Sequence, residues 1–210
     1  METPKLSRAI QSSSLDTRWG LYVYRATYQD QELWDRYMEY IRNAVMSSLQ
    51  PSNDIVTGSE ILRYQRLRDS FQLVARENKD WDDWTVWKMR EHFDPLHLPG
   101  VNKPDTRWLG PPTSQWYFIY VNKDTLADFK AIDDARQTKP PNYFEEEVTF
   151  TVVHTLPGWR DDDDDDEDGA GKEWQYVCAY RLARFFELTY GNGGSWFDFF
   201  VRPPRKWNGF

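Results

Sequence analysis

Residues 19–27, WGLYVYRAT, set Leu21, Val23 and Arg25 against Tyr22, Tyr24 and Ala26 in strict alternation. Both sets are mostly apolar, which predicts a strand covered on both faces. Asp30 stands where an N-cap is needed, and Leu33, Tyr37, Ile41, Ala44 and Val45 recur at helical spacing up to Leu49. Pro51 stops that helix and completes a β-α unit. Thr57, Gly58, Ser59 and Glu60 fit a capping box. A second helix is expected from there, with Ile61, Tyr64, Leu67, Phe71 and Val74 towards the core and Arg63, Arg66 and Arg76 on its other side. A third, shorter helix is expected over residues 83–93, ending before Pro95. The prolines and glycines of residues 95–112 mark a long irregular connection.

The β-α theme then recurs. Residues 115–121, QWYFIYV, read as a strand, Asp124 as an N-cap, and Leu126, Phe129 and Ile132 as the inner face of a short helix. Pro140-Pro141 closes this unit, and residues 148–156, VTFTVVHTL, form a third strand. Residues 173–190 are open to either reading at their start; Leu182, Ala183, Phe185, Phe186 and Leu188 favour a helix ended by Gly191. A last strand is expected over residues 196–201, stopped by Pro203-Pro204. The order β-α-(α-α)-β-α-β-α-β predicts a single α/β or α+β domain, a four-stranded mixed sheet covered by helices. A ferredoxin-like variant with reordered strands is the alternative. Residues 1–17 read as a polar arm, 18–204 as the domain and 205–210 as a tail.

Composition changes this picture in two places. Trp, Tyr and Phe make 17% of the 210 residues, which excludes a disordered chain. The net charge of −8 comes entirely from eight adjacent acids, Asp161 to Asp166, Glu167 and Asp168; without them acids and bases balance. Adjacent like charges repel one another, so residues 160–171 are expected to form a solvated loop in a nearly neutral body. The acidic excess argues against nucleic acid as a partner, and argues less strongly once it is assigned to a loop. No stretch is apolar enough to span a membrane, and the polar start has no secretory core, so a cytoplasmic or nuclear protein, not a secreted one, is expected. A single cysteine, Cys178, fits a reducing compartment.

Two segments carry a resemblance. The opening RWGLYVYRATYQDQELWDRYMEYI and the closing SWFDFFVRPP resemble the two ends of a widely expanded group of uncharacterised filamentous-fungal proteins. The matching positions are Trp19, Gly20, Tyr24, Arg25, Thr27, Tyr28 and Trp34, then Trp196, Arg202, Pro203 and Pro204. Residues 60–78 depart from that pattern in being richer in arginine. The resemblance implies a fungal, intracellular origin and proximity to specialised metabolism, and no activity comes with it.

Common catalytic spacings are missing. His92, His97 and His154 lack a metal-binding pattern, and no cofactor or metal is expected. Cys178, in the apolar VCAYR, reads as a buried structural thiol. Glu145, Glu146 and Glu147 read as an edge cluster and Asp133-Asp134 as a helix-end pair. The aromatics are the candidate chemistry: Trp19, Tyr22, Tyr24, Trp84 and Trp87 for ligand binding, since aromatic faces hold planar or cationic molecules. Trp81, Trp84 and Trp87, placed on one helix, would spread over about 120°. Arg25 is the sharpest position, because a charge inside an apolar strand requires a partner. Glu145 to Glu147 or Asp198 are the expected carboxylates, with Arg25 and Asp198 meeting between the first and last strands. Arg25, His154 and Asp198 are the catalytic candidates. The expected function is binding a small molecule or protein partner through an aromatic-lined surface. An enzyme of fungal specialised metabolism and a homo-oligomer, such as a homodimer, are the alternatives.

Overall fold

A computed structural model describes residues 8, 18–49, 57–97, 117–136, 148–155, 173–189 and 195–207. The expected arm apart from residue 8, the Pro- and Gly-rich connection after residue 97, Glu145 to Glu147, the acid run and Gly191 lie outside them. The strands are β1 (Trp19–Arg25), β2 (Phe71–Arg76), β3 (Tyr117–Val121), β4 (Thr149–His154), β5 (Trp174–Cys178) and β6 (Lys206–Trp207). The helices are α1 (Gln31–Ser48), α2 (Gly58–Ser70), α3 (Val86–His97), α4 (Lys123–Arg136), α5 (Leu182–Thr189) and α6 (Ser195–Phe199). Short 3-10 turns lie at Lys79–Trp81 and Ala179–Arg181.

The six strands form one mixed sheet in the order β2-β1-β3-β4-β5-β6. β4 runs antiparallel to both neighbours, and every other adjacent pair is parallel. The chain leaves β1 towards β2 through α1 and α2, then crosses back over β1 to β3 through α3. Tyr64 and Leu67 of α2 and the inner stripe of α1 pack on one face with Trp19, Leu21, Val23, Ile119 and Val152. Met89 and Phe93 of α3 pack on the other, against Tyr24, Phe118, Tyr120 and Val153. Crossovers in opposite directions on opposite faces have the same hand, as parallel connections require. The parallel run β2-β1-β3 does not reproduce the ferredoxin-like alternative.

The α/β reading, the mixed sheet and the strong elements hold. Asp30 caps α1 by accepting from the Leu33 amide at 2.8 Å, and the capping box of Thr57 and Glu60 closes in both directions. The strand count does not hold: six, not four. Residues 58–78 are not one helix. Ser70 Oγ donates to the carbonyl of Arg66 at 2.6 Å in the last turn, and Phe71 is already extended. The spacing of Phe71 and Val74 mimics a helix, while Phe71 and Leu73, both buried, follow the period of two that won. Ile61, expected in the core, is 52% exposed. α3 starts at Val86 and reaches His97, past Pro95, whose fixed φ is itself helical. α4 is capped by Asn122, whose Oδ1 accepts from the Thr125 amide at 2.9 Å, so Asp124 lies within its first turn. The start of 173–190 is a strand, β5. The aromatic run expected as the last strand is the short helix α6, since a five-residue apolar run carries no decisive period. The sixth strand forms instead beyond Pro204, where Tyr176 pairs with Lys206 and Val177 with Trp207.

At Gly20 the backbones of β1 and β2 approach closely. Its φ is +137°, and a Cβ there would lie 1.8 Å from the Gln72 carbonyl oxygen. Only glycine fits both conditions.

Candidate functional site

Arg25 ends β1 on the face that carries α1 and is 2% exposed. Its Nε donates to the Thr27 carbonyl at 2.6 Å, and Nη1 to Gln31 Oε1 at 2.6 Å and Glu77 Oε1 at 3.0 Å. The guanidinium lies 4.6 Å from the Tyr28 ring centroid and 4.8 Å from that of Trp34. Tyr28 OH donates to the Arg25 carbonyl at 3.1 Å and accepts from the Asn78 amide at 2.7 Å. A guanidinium suits this setting because its planar fork accommodates several acceptors while its faces stack on rings. The cluster ties the end of β1 to the start of α1 and to the chain leaving β2. The carboxylate expected beside Arg25 is therefore Glu77, not Asp198.

Asp198 is exposed on α6, whose Trp196 stacks on His154 with ring centroids 5.2 Å apart. His154 pairs with Tyr117 at the amino end of β3, while Arg25 pairs with Val121 at its carboxyl end. Four residues of strand separate those ends by roughly 13 Å. Arg25 thus lies at the opposite end of the sheet from His154 and from the helix carrying Asp198. His154 is buried between Trp196 and Tyr117, and loss of hydration, with Arg90 adding repulsion, lowers its pKa from 6.5 to about 3. Its imidazole is neutral at physiological pH.

The aromatic candidates divide. Trp19 is fully buried and donates from Nε1 to the Leu67 carbonyl at 2.7 Å, so it is a core residue. Tyr24 is buried against Trp81, Phe93 and Phe118. Tyr22 is half-buried beneath the guanidinium of Arg76, 4.7 Å from its centroid. Trp87 is half-buried on α3. Trp81 belongs to a 3-10 turn and Trp84 to the following loop, so the three tryptophans do not share a helix. Every described tryptophan is buried or half-buried, so none offers a flat exposed patch.

Trp84 is the candidate that lines an opening. A cleft of about 970 Å³ lies beside the carboxyl end of β3, between the loop of Asp83, Trp84 and Thr85, the first turns of α4, and β4 to β6. Its wall follows from strand register. Tyr120 pairs with Thr151, Thr151 with Tyr176, and Tyr176 with Lys206, so these four form a row across one face. Trp174, two residues before Tyr176 on that face, packs edge-on against it at 5.3 Å. Tyr120 OH donates to the Trp84 carbonyl and holds the loop against the sheet. Trp84 and Val86 supply apolar lining on this face, while Phe129, Val148 and Phe150 border the cleft from within the core on the other face.

The charges at the mouth are Asp83, Asp124 and Asp128 against Lys123 and Lys206. Lys123 Nζ is 3.4 Å from Asp83 Oδ1. Burial pushes the Tyr120 phenol up to about 12, aided by Asp124 and Asp83 against the Asn122 hydrogen bond. Burial also raises Tyr176, with Asp128 and Asp124 adding to it. Both phenols are protonated at neutral pH, hydrogen-bonding groups in a negative field.

The cleft lies on the β4 side of β3, and none of its lining residues belongs to β1. Sequence reasoning reached Trp84 but missed Tyr120, Trp174, Tyr176, Asp124 and Asp128 as site residues. Two signals were available: Trp174 and Tyr176 share the two-residue spacing of a strand face, and Asp124 and Asp128 share the four-residue spacing of a helix face.

Among the described residues no cluster of three or more His, Cys, Asp or Glu side chains forms a metal centre. No helix there is long and apolar enough to cross a membrane. No protein-family model, curated protein or solved structure matches the chain.

Proposed function

We propose that this protein binds a small molecule in the cleft beside β3, by contact rather than catalysis. The observation that carries the reading is the row of Tyr120, Thr151 and Tyr176, with Trp174 and Trp84 beside it, facing a cleft of about 970 Å³. The volume is at the upper end of the range for ligand sites, roughly 300 to 1,000 Å³. The enzyme alternative, built on Arg25, His154 and Asp198, has less support. Arg25 is occupied by Glu77, Gln31 and the Thr27 carbonyl, and His154 lies at the other end of β3 as a very weak base. The resemblance in the opening and closing segments adds that the ligand is a metabolite of a fungal cell.

A small-molecule fragment screen followed by tryptophan fluorescence tests this. Ligands of the cleft change the emission of the wild-type protein and lose about tenfold or more in affinity when Trp174 or Tyr176 is replaced by alanine, as loss of an aromatic anchor predicts. Ligands whose binding ignores both substitutions would place the site elsewhere and overturn the reading.

A further inference from the structure

The lining of the cleft is unusual in one respect. Asp124 and Asp128 lie one helical turn apart on α4, an arrangement that costs a few tenths of a kcal/mol in an isolated helix. Asp124, in the first turn, has a compensation, since a carboxylate there interacts favourably with the helix amino end. Asp128 is beyond that turn and has no ion pair or hydrogen bond among the described residues. Lys130, the nearest cation in sequence, pairs with Asp134, and Lys123 is turned to Asp83. Both aspartates nonetheless line the cleft, and both act on the Tyr176 phenol. Carboxylates held beside aromatic rings and an apolar floor form the setting in which an organic cation binds: ring faces attract it, and carboxylates neutralise it.

The protein contains the same chemistry twice in occupied form. The Arg25 guanidinium stacks on Tyr28 and Trp34 and pairs with Glu77. Lys88 Nζ lies 4.2 Å from the centroid of Trp84, which lines the cleft, so that indole already accepts an ammonium on its ring.

We propose that the cleft selects an organic ammonium: a small molecule with an apolar body on Trp84 and Val86 and a cationic nitrogen among Trp174, Tyr176 and Asp128. The inference rests on the reading of the cleft as a ligand site and adds its charge selectivity. Lys206, opposite Tyr176, and Lys123 are the lining residues that argue for an anion instead. The test therefore compares charges on a constant body.

The probes are 4-phenylbutylamine, 4-phenylbutanol and 4-phenylbutyrate, titrated into the intact protein by calorimetry, with binding located by the indole resonances of Trp84 and Trp174. The amine binds about tenfold more tightly than the alcohol, and the carboxylate more weakly than either. Asp128→Asn lowers amine affinity by about tenfold and leaves the alcohol unchanged, while the thermal midpoint stays at the wild-type value because Asp128 is exposed. If the alcohol or the carboxylate binds the cleft as tightly as the amine, charge selectivity is refuted and the ligand site stands. If all three leave both indoles undisturbed at millimolar concentration, the cleft itself is refuted as a site for such bodies.

Discussion

Two regions of this protein bring aromatic rings and carboxylates together, and in only one is a cation buried among them. At the carboxyl end of β1, the guanidinium of Arg25 fills the space between Tyr28 and Trp34 and reaches Glu77. Beside the carboxyl end of β3, Trp84, Trp174, Tyr120 and Tyr176 border an open cleft with Asp124 and Asp128 at its mouth. The difference lies in the strands. β1 has a partner on each side and ends beneath α1, so its final side chain is enclosed. β3 and β5 reach their carboxyl ends with one face only partly covered, because α3 packs on Tyr24, Phe118 and Val153 nearer β1. Similar chemistry thus gives a brace in one place and a candidate binding site in the other.

The comparison can be broken most severely at β1. Gly20→Ala adds a Cβ against the Gln72 carbonyl in a backbone region closed to alanine, and we expect a loss on the order of 4 kcal/mol in urea denaturation. A loss below about 1 kcal/mol would show that β1 and β2 shift apart without cost. Arg25→Met keeps the length of the side chain but removes its hydrogen bonds and both ring contacts. Glu77, 43% exposed, can return to water, so the expected cost is about 3 kcal/mol rather than that of a fully buried pair. Arg25→Lys should recover part of it, since charge persists while the planar fork does not. Full recovery would mean that charge alone matters and that stacking on Tyr28 and Trp34 does not.

His154 allows a test by acid. Its folded pKa of about 3 lies below the free value of 6.5, so the unfolded chain takes up the proton first as pH falls. The contribution to stability is complete above about pH 6.5 and declines by roughly 1.4 kcal/mol per pH unit as pH drops towards 3. Between about pH 6.5 and 5, above the ordinary carboxylate range, His154→Gln should flatten this slope. An unchanged slope would locate the acid sensitivity in other groups. The smallest effects belong to the cleft. Asp128→Asn and Tyr176→Phe should alter stability by no more than about 0.5 kcal/mol, because neither side chain holds elements together. A large loss from either would turn the cleft wall into a second brace.

Much of the fold is legible in sequence where the signal is local. The alternation of residues 19–27, the Asp30 cap and the capping box at Thr57 each involve neighbours within four positions. Errors fall where two periods compete. Phe71, Leu73 and Val74 satisfy both a helix and a strand, and the aromatic run after Ser195 is too short to decide. The site was less legible. Arg25 was recognisable as a charge needing a partner, but Glu77 lies 52 residues away, and the partner depends on β1 and β2 being neighbours. The opening motif of Trp19, Gly20, Arg25, Tyr28 and Trp34 turns out to be architecture: a core indole, a close strand contact and a stacked brace.

The sequence by itself determined the local elements and the number of aromatic rings to be placed. Hydrogen bonds and caps of that kind act between residues a few positions apart, so their energies are set before the chain closes on itself. Tertiary structure alone decided that Trp19 is core and Trp84 borders a cleft, and that Tyr120, Thr151 and Tyr176 stand in one row. Burial and register arise between distant segments, where the same indole or carboxylate is brace or binding surface according to what the sheet order places beside it.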